Sequence, residues 1–145
     1  MTAIHAIVRQ CREGHFAACV TAVQSGWVIM AERQVTVGYC LLLPDPVVGH
    51  LNDLSAERRM EFLGDMGKLG DVLLQVTGAV RINYAIFGNV EPALHMHAFP
   101  RYADEAEPAR TSQPWALDWS AAPLFDAEWH GDLKRRIARG LAGVR

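Results

Sequence analysis

The chain has 145 residues, half of them hydrophobic, and a formal net charge of −2. That length suits one domain with a single well-buried core, and the charge balance excludes the basic excess expected of a nucleic-acid binder. No apolar run approaches the roughly 20 residues needed to span a bilayer, residues 1–5 lack the regions of a secretory signal, and three scattered cysteines, Cys11, Cys19 and Cys40, suggest reduced thiols in a cytoplasmic protein.

Ile4, Ile7, Val8 and Cys11 recur at helical spacing and predict a helix over 4–13, ended by Gly14. Cys11, His15 and Cys19 are spaced four apart. On an unbroken helix they would line one face as a zinc site, but Gly14 interrupts it and no fourth ligand is evident, so buried thiols are expected. Three apolar segments follow, at 17–23, 27–31 and 35–43. Gln24, Ser25 and Gly26 mark a tight turn that makes the first two a hairpin, and Glu32, Arg33 and Gln34 connect to the third. Its continuous apolar run suits a central strand. Residues 44–49, with Pro44 and Pro46, form a loop, and His50 after it reads as a surface or capping residue.

A long helix is predicted over 55–77, capped by Ser55 or Asp53 and ended by Gly78. Its expected buried stripe is Met60, Leu63, Met66, Leu69, Val72, Leu73 and Val76. Gly64, Gly67 and Gly70 inside it each cost about 1 kcal/mol relative to Ala. They indicate either the close approach of another backbone, such as a partner copy, or a loosely packed helix. Residues 82–87 then read as a strand, 88–92 as a loop and 94–100 as a second strand. Because strand side chains alternate, His95 and His97 project from one face, while Leu94, Met96 and Ala98 project toward a core. Beyond an acidic connector at 103–108, Trp115, Leu117 and Trp119 sit in a tail expected to cross the sheet. A last helix is predicted over 126–142.

The stretch 83–102 resembles the histidine-triad family of nucleotide hydrolases and transferases. That signature is His-x-His-x-His followed by two apolar residues, often ending Pro-Arg, after an Asn-rich strand and a Gly-Asn or Gly-Gln loop. His97 falls on the third histidine, His95 on the second, and Ala93 occupies the first; Asn83, Gly88, Asn89, Pro92, Pro100, Arg101 and Tyr102 extend the match.

Together with the predicted elements, the resemblance implies an α+β fold: an antiparallel sheet of about five strands, one long helix packed on it and shorter terminal helices. One domain would span 1–145, with its core at about 15–102 and a C-terminal extension at 103–145. The resemblance further implies a homodimer acting on a nucleotide or dinucleoside polyphosphate, with no cofactor and no metal. His95 would be the catalytic nucleophile, its ring held by the Ala93 carbonyl, and His97 the catalytic helper. Asn83, Gly88 and Asn89 would hold phosphate oxygens. Glu32 would bond the ribose, unless it is simply part of a solvated turn. Replacing the first histidine with Ala93 is expected to leave space beside the hairpin. Three other readings stand: a non-catalytic nucleotide-binding module, a metal-binding His-x-His pair for which Glu91 is the nearest acid, and an ordinary α+β domain with structural histidines.

Overall fold

The computed structural model describes residues 1–143. Its order is α1 (Ala3–Arg12), β1 (Cys19–Val23), β2 (Gly26–Met30), β3 (Cys40–Pro44), α2 (Ala56–Thr77), β4 (Arg81–Ala85), β5 (Met96–Arg101) and α3 (Gly131–Gly143). The strands form one antiparallel sheet in the order β1-β2-β3-β5-β4. This is the five-stranded α+β architecture expected. Among the described residues no helix is long and apolar enough to cross a membrane.

Strand register sorts the side chains onto two faces. Leu42 lies opposite Met96 and Cys40 opposite Ala98, so these four share one face with Val28 and Met30. That face packs against Phe62, Leu69, Val72 and Leu73 of α2 and Ile137 of α3 to form the main core. On the opposite face, Leu41 lies opposite His97 and Asn83 opposite Phe99. One end of this second face is covered by Ile4, Val8 and Cys11 of α1, packed on Ile29 and Leu43. At the other end, Trp119 packs on Tyr39 and Phe99. His95 and His97 therefore lie between α1 and the C-terminal tail.

Helix ends follow local chemistry. Thr2 and His5 form a reciprocal capping box on α1. The Ser55 hydroxyl accepts from the Arg58 N–H at the start of α2, and Gly78 closes that helix with φ +74°, where a side chain would be strained. The inward face of α2 follows the expected stripe from Met66 to Val76 but departs from it in the first turns. Met60 is 74% exposed and Leu63 45% exposed, while Phe62 and Asp65 turn inward. Asp65 is drawn in because its carboxylate accepts from the Ser25 N–H at 2.8 Å, tying α2 to the β1–β2 turn.

Three other boundaries move for identifiable reasons. Residues 35–39, expected in the third strand, form a loop braced by buried Gln34. Its amide donates to the carbonyls of Ala31 (2.8 Å) and Tyr39 (2.9 Å) and accepts from the Gly38 N–H (3.0 Å), replacing strand pairing with side-chain bonds. Pro44, expected in the following loop, is the last residue of β3, at its end where a missing N–H is tolerated. The final helix starts at Gly131 rather than 126, because the Asp126 carboxylate accepts from the N–H groups of Glu128 and Trp129 and holds a turn there.

The three glycines of α2 have different surroundings. A Cβ at Gly70 would lie 1.8 Å from the Tyr84 hydroxyl, whereas Gly64 and Gly67 face open space. Close approach at Gly70 is thus made by β4 of the same chain. Gly70→Ala is expected to lower stability by about 1 kcal/mol by displacing Tyr84, although Ala is the better helix former by a similar amount. In a Tyr84→Ala background the same substitution should instead raise stability. Urea unfolding of the four proteins checks this, and an equal effect in both backgrounds would show that Tyr84 does not constrain Gly70.

Candidate active site

β5 starts at Met96 rather than at the expected 94, but Leu94 and His95 just before it continue its alternation, and with both faces buried that alternation sets the site. Leu94, Met96 and Ala98 enter the main core. His95, His97 and Phe99 project to the other side, where the two imidazoles meet edge to face with centroids 4.8 Å apart. His97 also stacks on Phe99 at 5.8 Å and receives Trp115 edge-on at 5.1 Å. Trp115 reaches it because buried Arg101, the next residue on the same face, anchors the chain that follows. Its guanidinium donates to the Glu105 carboxylate (2.9 Å) and to the carbonyls of Ala109 (2.8 Å) and Ser112 (2.7 Å).

His95 Nδ1 lies 2.7 Å from the Ala93 carbonyl oxygen. A carbonyl only accepts, so Nδ1 carries a proton, and the lone pair of the ring in its neutral form falls on Nε2. His97 Nδ1 lies 2.6 Å from the Tyr39 hydroxyl. Burial first, and the neighbouring His95 second, push the His97 pKa down to about 4, so its ring is neutral at pH 7. Burial pushes the Tyr39 phenol up, which keeps it protonated.

Both imidazoles open on a cleft of about 450 Å³ lined also by Phe87, Gly88, Asn89, Val90, Glu91, Gln113 and Trp115. Gly88 has φ +84°, a turn that suits glycine. The N–H groups of Gly88, Asn89 and Val90 make no backbone hydrogen bond among the described residues. The loop therefore presents donors beside two imidazoles, which suits an anion. A larger, more apolar cleft of about 580 Å³ lies against α2 and α3. Its one imidazole, His130, already accepts from the Asp126 N–H at 2.8 Å, so it lacks a comparable pair of groups.

Four of the expected site residues, His95, His97, Gly88 and Asn89, thus converge. The other two do not line this cleft. Asn83 lies on the same sheet face, but its side-chain oxygen accepts from Arg101 at 2.9 Å, and it lines a neighbouring cleft with Arg81 and Arg110. Glu32 is exposed, and its carbonyl accepts from the Phe125 N–H at 2.6 Å. Tyr39, Gln113 and Trp115 join the site unforeseen. Tyr39 and Leu41 alternate as His97 and Phe99 do, but only the β3–β5 register shows that the two pairs share a face.

The Ala93 position is closed, contrary to the expected space. Its methyl is 3% exposed and belongs to the apolar cluster of Ile4, Val8, Ile29 and Leu43. An imidazole there would overfill that cluster, typically at a cost of about 1–3 kcal/mol. In the N-terminal trio, Cys11 and Cys19 stay together in the apolar cluster under α1, and only His15 leaves. Cys11 is buried and Cys19 partly buried, while His15 stands 73% exposed beside Glu13. Exposed His50 lies 3.3 Å from Asp53. Among the described residues no three His, Cys, Asp or Glu side chains converge so as to hold a metal ion.

No family model matches the chain, and no curated protein matches it. Solved structures do. A histidine triad protein of Marinobacter aquaeolei is 19% identical with a TM-score of 0.76, covering 100% of this chain and 99% of that one. A zinc-bound histidine triad family protein of Mycobacterium smegmatis is 19% identical with a TM-score of 0.71, covering 99% and 97%. A hypothetical histidine triad nucleotide-binding protein of Sulfolobus tokodaii is 13% identical with a TM-score of 0.73, covering 94% and 91%. The chain shares the fold of histidine triad proteins.

Proposed function

We propose that this chain is a histidine-triad-like hydrolase that cleaves a nucleoside phosphate anhydride, ester or phosphoramidate through a nucleotidyl-histidine intermediate on His95. The observation that carries this reading is the 2.7 Å bond from His95 Nδ1 to the Ala93 carbonyl, because it places the lone pair of the neutral ring on Nε2, beside the 88–90 loop. Nε2 bonds to phosphorus while the bond to the leaving group breaks, and the leaving group departs with the electron pair and is protonated by solvent. The positive charge gained by the imidazole is stabilised through its Nδ1–H and the Ala93 carbonyl. Water then attacks phosphorus, the P–N bond returns its pair to Nε2, and a nucleoside monophosphate leaves. Loop N–H groups and the His97 ring stabilise the charge on the non-bridging oxygens in both steps.

A second reading, a nucleotide-binding module without turnover, is favoured by Ala93, which stands at the family's first histidine. Yet Ala93 supplies its carbonyl to His95 whatever its side chain. A tight zinc site at the His95–His97 pair does not fit the donor set. Each ring has its Nδ1 committed, to Ala93 and to Tyr39, and two Nε2 atoms alone fall short of three ligands.

In keeping with the homodimer of the resemblance, α2 and β4 offer the surface for a second copy. Met60 and Leu63 are exposed, Gly64 and Gly67 stand in open space, and β4 is an edge strand. Sedimentation equilibrium is expected to give a dimer that Met60→Glu weakens; a monomer at all concentrations would remove this assignment.

A panel of adenosine and guanosine phosphoramidates and dinucleoside polyphosphates, read for mononucleotide release, tests the enzyme reading. His95→Ala is expected to abolish release, whereas His97→Ala should retain a measurable remnant, lower by about 10²–10³. Tight nucleotide binding with no release from the unsubstituted protein would replace the hydrolase with the binding module.

A further inference from the structure

We infer that Tyr39 is a positioning residue that holds His97 as its Nε2–H tautomer, so that the two neighbouring imidazoles present opposite groups to the cleft: a bare nitrogen on His95 and an N–H donor on His97. Hydrogen-bond accounting decides between the two possible directions of the 2.6 Å contact. Suppose His97 Nδ1–H donated to the phenol oxygen. The Tyr39 O–H would then need another acceptor, and among the described residues the hydroxyl has no partner but His97. Tyr39 is only 4% exposed, so leaving that O–H unsatisfied would cost most of a hydrogen bond's desolvation. In the reverse direction both groups of the contact are satisfied: the phenol donates to Nδ1, and the displaced proton sits on Nε2. That atom has no protein partner among the described residues, and His97 lines the cleft, where water or a phosphoryl oxygen can accept.

The phenol is well held for this task. One position beyond the pairing of Cys40 with Ala98, Tyr39 stacks on Phe99 with centroids 4.0 Å apart and planes at 21°. Trp119 closes its edge at 5.8 Å. Its carbonyl accepts from the Ala31 N–H at 3.0 Å and from the Gln34 amide at 2.9 Å, which fixes the backbone. The depressed basicity of His97, caused by burial and then by the neighbouring His95, fits the same arrangement, since a ring that does not take a second proton keeps Nδ1 free to accept. An N–H facing the cleft stabilises negative charge on phosphoryl oxygens as it grows, so the residue acts through His97 on the transition state rather than on ground-state binding.

The kinetic consequence rests on the hydrolase reading; the tautomer does not. Nitrogen-15 NMR of the unsubstituted protein is expected to show His97 as the Nε2–H tautomer, and an Nδ1–H tautomer there would overturn the inference. In Tyr39→Phe the ring should move to a mixture of tautomers, with kcat down about tenfold and KM within about twofold. An unchanged tautomer, or a shifted tautomer with unchanged kcat, would remove the positioning role. Should Tyr39→Phe fail to fold, the tautomer in the unsubstituted protein decides alone. If neither protein turns over any substrate while the tautomer shifts as expected, the hydrolase reading fails and the Tyr39 assignment stands.

Discussion

The two-sided burial of β5 is the constraint on which the rest depends. A strand has a side-chain period of two, so a one-residue slip would move Met96 and Ala98 out of the core and put His95 and His97 into it. Neither exchange is tolerable, because Met96 and Ala98 are fully buried against α2 and the histidines need polar partners. The register is therefore fixed from both sides. Phe99 and Arg101 continue the histidine face, one under Tyr39 and Trp119 and the other clamping the chain that carries Trp115. The main core thus sets the strand, and the strand sets the site.

The chemistry then rests on two short contacts of opposite kind. A backbone carbonyl can only accept, and it leaves a lone pair on the far side of the His95 ring. A buried phenol with no other acceptor donates, and it leaves an N–H on the far side of the His97 ring. Two identical side chains two residues apart acquire different roles because their second nitrogens meet different partners. The alanine at position 93 does not disturb this pairing. The side chain at Ala93 faces α1 and the β2–β3 apolar surface, whereas its carbonyl faces His95.

What the sequence disclosed follows the range of the interactions. The Ala93–His95 bond spans only two residues, and the family resemblance alone implies it. Helix ends at Ser55 and Gly78 are likewise local. Tyr39 is 58 residues from His97, and its role emerges only when β3 pairs with β5. Asn83 shares the face of His97 and Phe99, yet its oxygen is taken by Arg101, whose burial no local pattern signals. Glu32 lies beside Phe125 through a backbone bond from the far end of the chain. On α2 the expected stripe holds from Leu69 to Leu73, but in the first turns Phe62 takes the inward place of Met60 and Leu63, and the Ser25 N–H draws Asp65 inward.

Covalent chemistry at His95 is tested most directly by acid-free quenching of a slow nucleoside phosphoramidate reaction, followed by intact-protein and peptide mass spectrometry. The expected result is a transient adduct with the mass of one nucleotidyl group, located on His95 and absent after the substrate is exhausted. Turnover with the adduct on His97, or with no adduct at any time while product accumulates, would contradict it.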